Sequence, residues 1–135
     1  MSLHKKICCF ILILASCSPK QQDDTFLADR VNLTKETLNI STDNFLVVLL
    51  DECPSCQVIY KDIARKHLDS GSVVIASKNS KKAKLFIGGD FPNLKLDKDF
   101  ISKRLNLIES FPVFYRKNGN SYDSLVILPP KNPGQ

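Results

Sequence analysis

Phe45-Leu46-Val47-Val48-Leu49-Leu50-Asp51-Glu52-Cys53-Pro54-Ser55-Cys56 is the stretch on which the reading of this chain turns. Its first six residues are apolar, with no polar alternation. The run is far too short for a membrane span, which needs ~20 apolar residues. A strand buried on both faces fits it, as in the parallel strands of α/β domains. Two cysteines follow its carboxyl end. Pro54 suits a first helical position, where a missing N–H costs nothing. From Cys56 onward Val58, Ile59, Ile63 and Leu68 recur near helical spacing, with Gln57, Lys61, Asp62, Arg65 and Lys66 between them. Asp69-Ser70-Gly71 ends this helix, with Gly71 expected as a left-handed cap. Ser72 to Ser77 is the next strand, so a right-handed βαβ unit is expected.

Beyond this unit, Leu85-Phe86-Ile87 reads either as a short strand or as part of a helix starting near Ser80, and Gly88-Gly89 breaks it. Asp97 has the character of a helix N-cap. Phe100, Ile101, Leu105 and Ile108 then suggest a second amphipathic helix. Phe111 to Tyr115 begins a third strand. Lys117-Asn118-Gly119-Asn120 is a turn with the Asn-Gly hairpin signal, and Leu125 to Leu128 returns. Pro129, Pro130 and Pro133 oppose further regular structure. No internal repeat is present.

At the other end, His4, Lys5 and Lys6 precede an apolar run from Ile7 to Ala15. A basic start, a short apolar segment and small residues describe a secretory signal. Leu14-Ala15-Ser16-Cys17 resembles the lipobox of bacterial lipoproteins. That resemblance implies cleavage after residue 16, a diacylglyceryl thioether on Cys17 and an address in the cell envelope. Ser18 rather than Asp follows the cysteine, which by analogy favours the outer over the inner membrane, with the domain in the periplasm or at the cell surface. A plain signal peptide with a chance cysteine is the alternative. Residues 17–37 are polar and read as a tether, the later part packing as a first strand or short helix; residues 38–135 are the expected domain.

Removing 16 of the 135 residues leaves 119, the size of one domain. Without Lys5 and Lys6, 17 basic residues face 14 acidic ones, a net +3. Lys78, Lys81, Lys82 and Lys84 cluster without interleaved aromatics, which reads as a solvated loop or helix face, with nucleic-acid binding a minor alternative. Of the five cysteines, Cys8 and Cys9 would leave with the signal and Cys17 would carry lipid. Cys53 and Cys56 remain, too few for a four-cysteine zinc site.

A buried strand running into Cys-Pro-Ser-Cys at a helix start, then Ile108-Glu109-Ser110-Phe111-Pro112 before a strand, an Asn-Gly turn and an antiparallel strand, resembles the thioredoxin-like fold. The resemblance spans roughly Leu38 to Leu128. With the lipoprotein signal it is most similar to the TlpA-like exported thioredoxins. It implies an α/β domain with a mixed parallel and antiparallel sheet flanked by helices. It also implies thiol–disulfide exchange on exported client proteins, with a membrane thiol as electron donor and no cofactor or metal. Pro112 takes the position of the family's cis-proline, which keeps metal from the thiols and orients substrate, and Phe111 presents backbone to that substrate. Two departures stand out. Glu52 occupies a position where thioredoxins often carry Trp, and Leu128-Pro129-Pro130 leaves the C-terminal helix absent.

The chemistry asks for an attacking thiolate and a thiol that resolves the mixed disulfide. A helix start stabilises the first thiolate, so Cys53 is expected as nucleophile and Cys56, one turn on, as resolving thiol. Pro54 keeps that start rigid. Asp51 and Glu52 oppose it, since neighbouring carboxylates raise a thiol pKa. The alternative is a static Cys53–Cys56 disulfide in a non-catalytic binding module; its very short loop gives little entropic stabilisation. A lesser alternative is copper handling, because soft thiolates suit Cu(I). His67, the one histidine outside the signal, lies about 16 Å along the helix from Cys56 at ~1.5 Å per residue, and reads as a helix C-terminal residue instead. Tyr60, Tyr115 and Tyr122 read as packing residues with a polar tip.

Overall fold

The computed structural model describes residues 19–51 and 57–131. Its elements are α1 (Pro19–Thr37), β1 (Asn44–Leu49), α2 (Gln57–His67), β2 (Ser72–Ala76), α3 (Ser80–Ile87), β3 (Leu94–Asp97), α4 (Ile101–Arg104), β4 (Val113–Asn118) and β5 (Ser121–Val126). The strands form one sheet in the order β3-β2-β1-β4-β5. β1, β2 and β3 are parallel, while β4 runs antiparallel to β1 and β5 antiparallel to β4. The expected α/β domain with a mixed sheet between helices is thus present.

β1 explains the architecture. Successive strand side chains point to opposite faces. Phe45, Val47 and Leu49 enter an apolar layer with Ala28 and Val31 of α1 and with Leu107 and Ile108. Leu46, Val48 and Leu50 enter a second layer with Tyr60 and Ala64 of α2 and Ala83 and Phe86 of α3. Both faces need apolar residues, so the strand shows no alternation. The polar tips of the buried tyrosines find oxygen acceptors: Tyr60 donates to the Ile127 carbonyl at 3.5 Å, Tyr115 to the Leu107 carbonyl at 2.6 Å and Tyr122 to Asn32 Oδ1 at 3.0 Å.

Several expectations need correction. The segment read as a tether is helical from Pro19, and Ala28, Val31 and Thr34 are buried, so the domain begins before residue 38. Of the expected apolar stripe, Leu68 is buried just past α2 and Ile63 packs against the core, but Val58 is 75% exposed and Ile59 is also exposed; Tyr60 and Ala64 are the buried residues of α2. The 79–96 region holds a helix, closed by Gly88 at φ 86°, and then a strand that the sequence reading missed. The expected second amphipathic helix is a single turn. Asn106 at φ 55° ends it, with Leu107 N–H donating to the Ser102 carbonyl at 2.8 Å, a Schellman closure. Asp97 caps that turn from the end of β3, not from the position before the helix: its carboxylate accepts from Ile101 N at 2.8 Å and Ser102 N at 2.9 Å.

Gly71 is another. It is not among the positive-φ residues. A Cβ there would lie 2.7 Å from both the Asn44 carbonyl and His67 Nε2, so the glycine is needed for close approach and not for a left-handed turn. Gly71→Ala is expected to destabilise the fold by about 1–3 kcal/mol, read from chemical denaturation. The hairpin turn also differs in detail. Asn118 pairs with Ser121, and Gly119 at φ 62° is the first residue of the two-residue loop, as a II′ turn requires.

His67 ends α2, as expected. Its ring meets Phe114 edge-on at 5.1 Å between centroids, and its buried Nε2 has no hydrogen-bond partner among the described residues. Burial holds its pKa below the ordinary 6.5. The unfolded chain therefore takes up this proton at a higher pH than the folded one. Stability is full above about pH 6.5 and falls as pH drops from there toward the folded value. Denaturation midpoints between about pH 7 and pH 5 should show this slope, and His67→Gln should flatten it.

Candidate functional site at the carboxyl end of β1

The parallel strands β1 and β2 point their carboxyl ends the same way, and ligand sites of open α/β sheets lie outside such ends. The antiparallel β4 begins there and β5 finishes there, since Val113 pairs with both Val47 and Val126. The sequence motif falls at this end. Glu52, Cys53, Pro54 and Cys56 lie outside the described residues, as does Cys17. The chain on either side of the motif is well fixed. Leu50 N–H donates to the Ala76 carbonyl at 3.2 Å, and Gln57 Nε2 donates to the Leu50 carbonyl at 3.2 Å. The last residue of the apolar run is thus held both to β2 and to the first residue of α2.

Asp51 is engaged by Ser77 after β2 and by Lys82 of α3. Its Oδ1 accepts from Lys82 Nζ at 3.1 Å and from Ser77 Oγ at 3.3 Å. Ser77 Oγ also accepts Asn79 N–H at 3.2 Å, and Asn79 caps α3 by accepting Lys82 N–H at 3.0 Å. One of the two carboxylates expected to oppose a thiolate is therefore met by a cation. Sequence alone missed Lys82, because the pairing joins α3 to the end of β1 across 31 residues. The other lysines of its cluster sit on the solvent side, where Lys84 pairs with Asp90 at 2.8 Å.

Phe111 and Pro112 are the two predicted site residues that the structure describes. Both stand just before β4, at the same end as Asp51. Phe111 is exposed and Pro112 is buried. No cis peptide bond occurs among the described residues, so the Phe111–Pro112 bond is trans where the resemblance implied cis. The trans form is the default for X–Pro bonds. Here the Pro112 carbonyl is drawn into the hairpin ladder, accepting Ile127 N–H at 2.8 Å.

The loop carrying Phe111 is tied down elsewhere. Arg30 Nη1 of α1 donates to the Leu105 carbonyl at 3.0 Å. The Tyr115 hydroxyl donates to the buried Leu107 carbonyl. Burial pushes the Tyr115 pKa up to about 12 against the opposing Arg30 guanidinium, so the phenol stays a neutral donor. Beside this loop, Glu109, Phe111, Val113, Tyr115, Ser124 and Val126 help line a cleft of about 380 Å³. Val58, Phe111, Val126 and Leu128 are exposed apolar residues of segments that start or finish near this end of the sheet.

His67 does not join the site. It lies at the opposite end of α2, with Nε2 against Gly71. Among the described residues no cluster of three His, Cys, Asp or Glu side chains is placed to hold a metal, and no helix is long and apolar enough to cross a membrane. No protein-family model matches this chain, and no curated protein matches its sequence.

Tyr115→Phe removes the donor to Leu107 and leaves a buried carbonyl unpaired. A loss of about 1–3 kcal/mol is expected, with faster amide exchange confined to residues 105–112. Unchanged exchange there would show that the loop is held by other contacts.

Proposed function

We propose that this chain is a thioredoxin-like thiol–disulfide exchange protein of the bacterial cell envelope, anchored by lipid on Cys17. The observation that supports this most is the order of elements around the motif. A doubly buried β1 runs into Cys53-Pro54-Ser55-Cys56, α2 follows at Gln57, and a β4–β5 hairpin enters from Pro112 at the same end of a mixed sheet. The Lys82 pairing with Asp51 adds to it, by offsetting one of the charges that would hold a neighbouring thiol protonated.

In the reducing direction the Cys53 thiolate attacks one sulfur of a client disulfide. A mixed disulfide forms and the first client sulfur leaves as thiolate. Cys56, once deprotonated, attacks the Cys53 sulfur; the second client thiolate leaves and the Cys53–Cys56 disulfide remains. Two electrons have passed to the client, and an envelope thiol donor must restore the pair. The reverse sequence oxidises a client dithiol.

The second reading is a binding module with a static Cys53–Cys56 disulfide. The exposed apolar residues Val58, Phe111, Val126 and Leu128 favour it, because they serve docking with or without chemistry.

Thiol alkylation against pH, and titration against a glutathione or dithiothreitol couple, separate the two. A chain starting at Ser18 serves for both. A Cys53 pKa below ~7.5 with a potential between ~−120 and ~−270 mV is expected for exchange. A pKa near ~8.5 with a potential below ~−300 mV would make the disulfide structural. The same titration on Glu52→Gln should give a lower Cys53 pKa, and an unchanged value would remove Glu52 from the account.

A further inference from the structure

β5 is an edge strand whose outer side is open near the candidate site. Which of its groups face outward follows from the ladder. Ile127 N–H donates to the Pro112 carbonyl. Bonded and non-bonded pairs alternate along an antiparallel ladder. The bonded pairs are therefore Phe114 with Leu125 and Arg116 with Asp123. On the other side of β4, Lys117 N–H donates to the Asp43 carbonyl at 3.1 Å, in agreement with that alternation. Ser124 and Val126 thus turn both N–H and C=O away from the sheet. Neither group has a partner among the described residues.

Folded proteins commonly blunt such an edge with Lys, Pro, a bulge or a covering element. From Tyr122 to Val126 β5 carries none of the first three. Its one charge, Asp123, is engaged by Arg116 at 3.5 Å and Asn118 at 3.3 Å. α1 reaches the Tyr122 end through Asn32, but Leu125 is 63% and Val126 51% exposed. The opposite edge, β3, is only four residues long, and its leucines pack into the core.

We propose that the Ser124–Val126 edge of β5 docks an extended polypeptide segment by strand addition. Two outward N–H and C=O pairs along one extended stretch match the main chain of another strand. In this mode main-chain bonds give affinity and pockets for alternate side chains give selectivity. Here one set of side chains meets Leu125. The other meets the cleft of about 380 Å³ between Phe111, Tyr115 and Val126. The segment ends beside Pro112, at the end of the sheet that carries the cysteine motif. This names the client of the proposed exchange as unfolded or extended chain with apolar side chains, and it rests on that reading only for the chemistry after docking.

Reduced, carboxymethylated lysozyme tests docking apart from chemistry, because it is unfolded and has no free thiol or disulfide. Binding is followed by fluorescence anisotropy with residues 19–135, which hold the whole sheet and both apolar layers. Ser124→Pro removes one outward N–H and leaves the β4 bonds intact, a change edge strands tolerate. Val126→Lys puts a gatekeeper charge on the edge. Each is expected to weaken binding at least ~tenfold, with the denaturation midpoint unchanged. If Ser124→Pro fails to fold, Val126→Lys decides alone. No binding by the unaltered chain, or equal binding by the variants, overturns the proposal. So does a dimer in sedimentation that the variants convert to monomer, since a second copy would then occupy the edge. A negative thiol titration, by contrast, removes the exchange reading and leaves docking standing.

Discussion

The structure depends on burying one strand from both sides. β1 has a parallel neighbour on one flank and an antiparallel one on the other, with an apolar layer above and below. Phe45, Leu46, Val47 and Val48 have essentially no exposure. Two layers require two sets of helices, and the chain supplies α2 and α3 to one face and α1 with the residues after α4 to the other. Fixing β1 so firmly also fixes where its carboxyl end emerges. The residue there, Leu50, is bonded to the chain on both its neighbours' sides, so whatever follows it starts from a rigid platform.

That platform accounts for what could be read in the sequence. Continuous apolar character in Phe45–Leu50 and Ser72–Ala76 has few solutions other than buried parallel strands, and a helix between them follows from crossover geometry. The hairpin was legible from glycine and asparagine. β3 was not, because Leu94-Lys95-Leu96-Asp97 is short and its last residue carries a capping signal that reads as helix. Asp97 does cap, but from strand to helix across a turn, with Ser102 Oγ also donating to it at 2.6 Å. α4 was overestimated because Phe100, Ile101, Leu105 and Ile108 keep helical spacing by coincidence; Phe100 at φ 52° and Asn106 at φ 55° bend the chain so that Leu107 and Ile108 reach the core from an extended loop. α1 was undervalued because its buried stripe includes Thr34, whose hydroxyl donates to the Arg30 carbonyl at 3.0 Å and so enters the core satisfied.

The candidate site was legible as a motif but not as an environment. Local sequence names Cys53, Cys56, Phe111 and Pro112, and it places the last two at the strand start where they are found. It could not show that Asp51 looks toward α3, since Lys82 and Ser77 come together with it only in the fold. The pair is partly exposed, with side-chain exposures of 43% and 38%, so its direct contribution to stability is small. Its effect on a nearby titration does not need a stable bridge. A cation at 3.1 Å cancels most of the field of Asp51 at distances of several ångströms.

The segment after β5 bears on the same end of the molecule. β5 finishes at Val126, and no helix forms between Ile127 and Lys131. Pro129 and Pro130 lack the N–H groups a helix or a further ladder would use. Among the described residues no element pairs with the outer side of β5, and Leu125, Val126 and the following Leu128 are exposed. Exposed apolar groups scattered over a surface need no explanation, but these adjoin unpaired main-chain groups and a cleft. An open edge at the end of the sheet where β1 finishes is costly for a protein that must stay dispersed, unless another chain uses it.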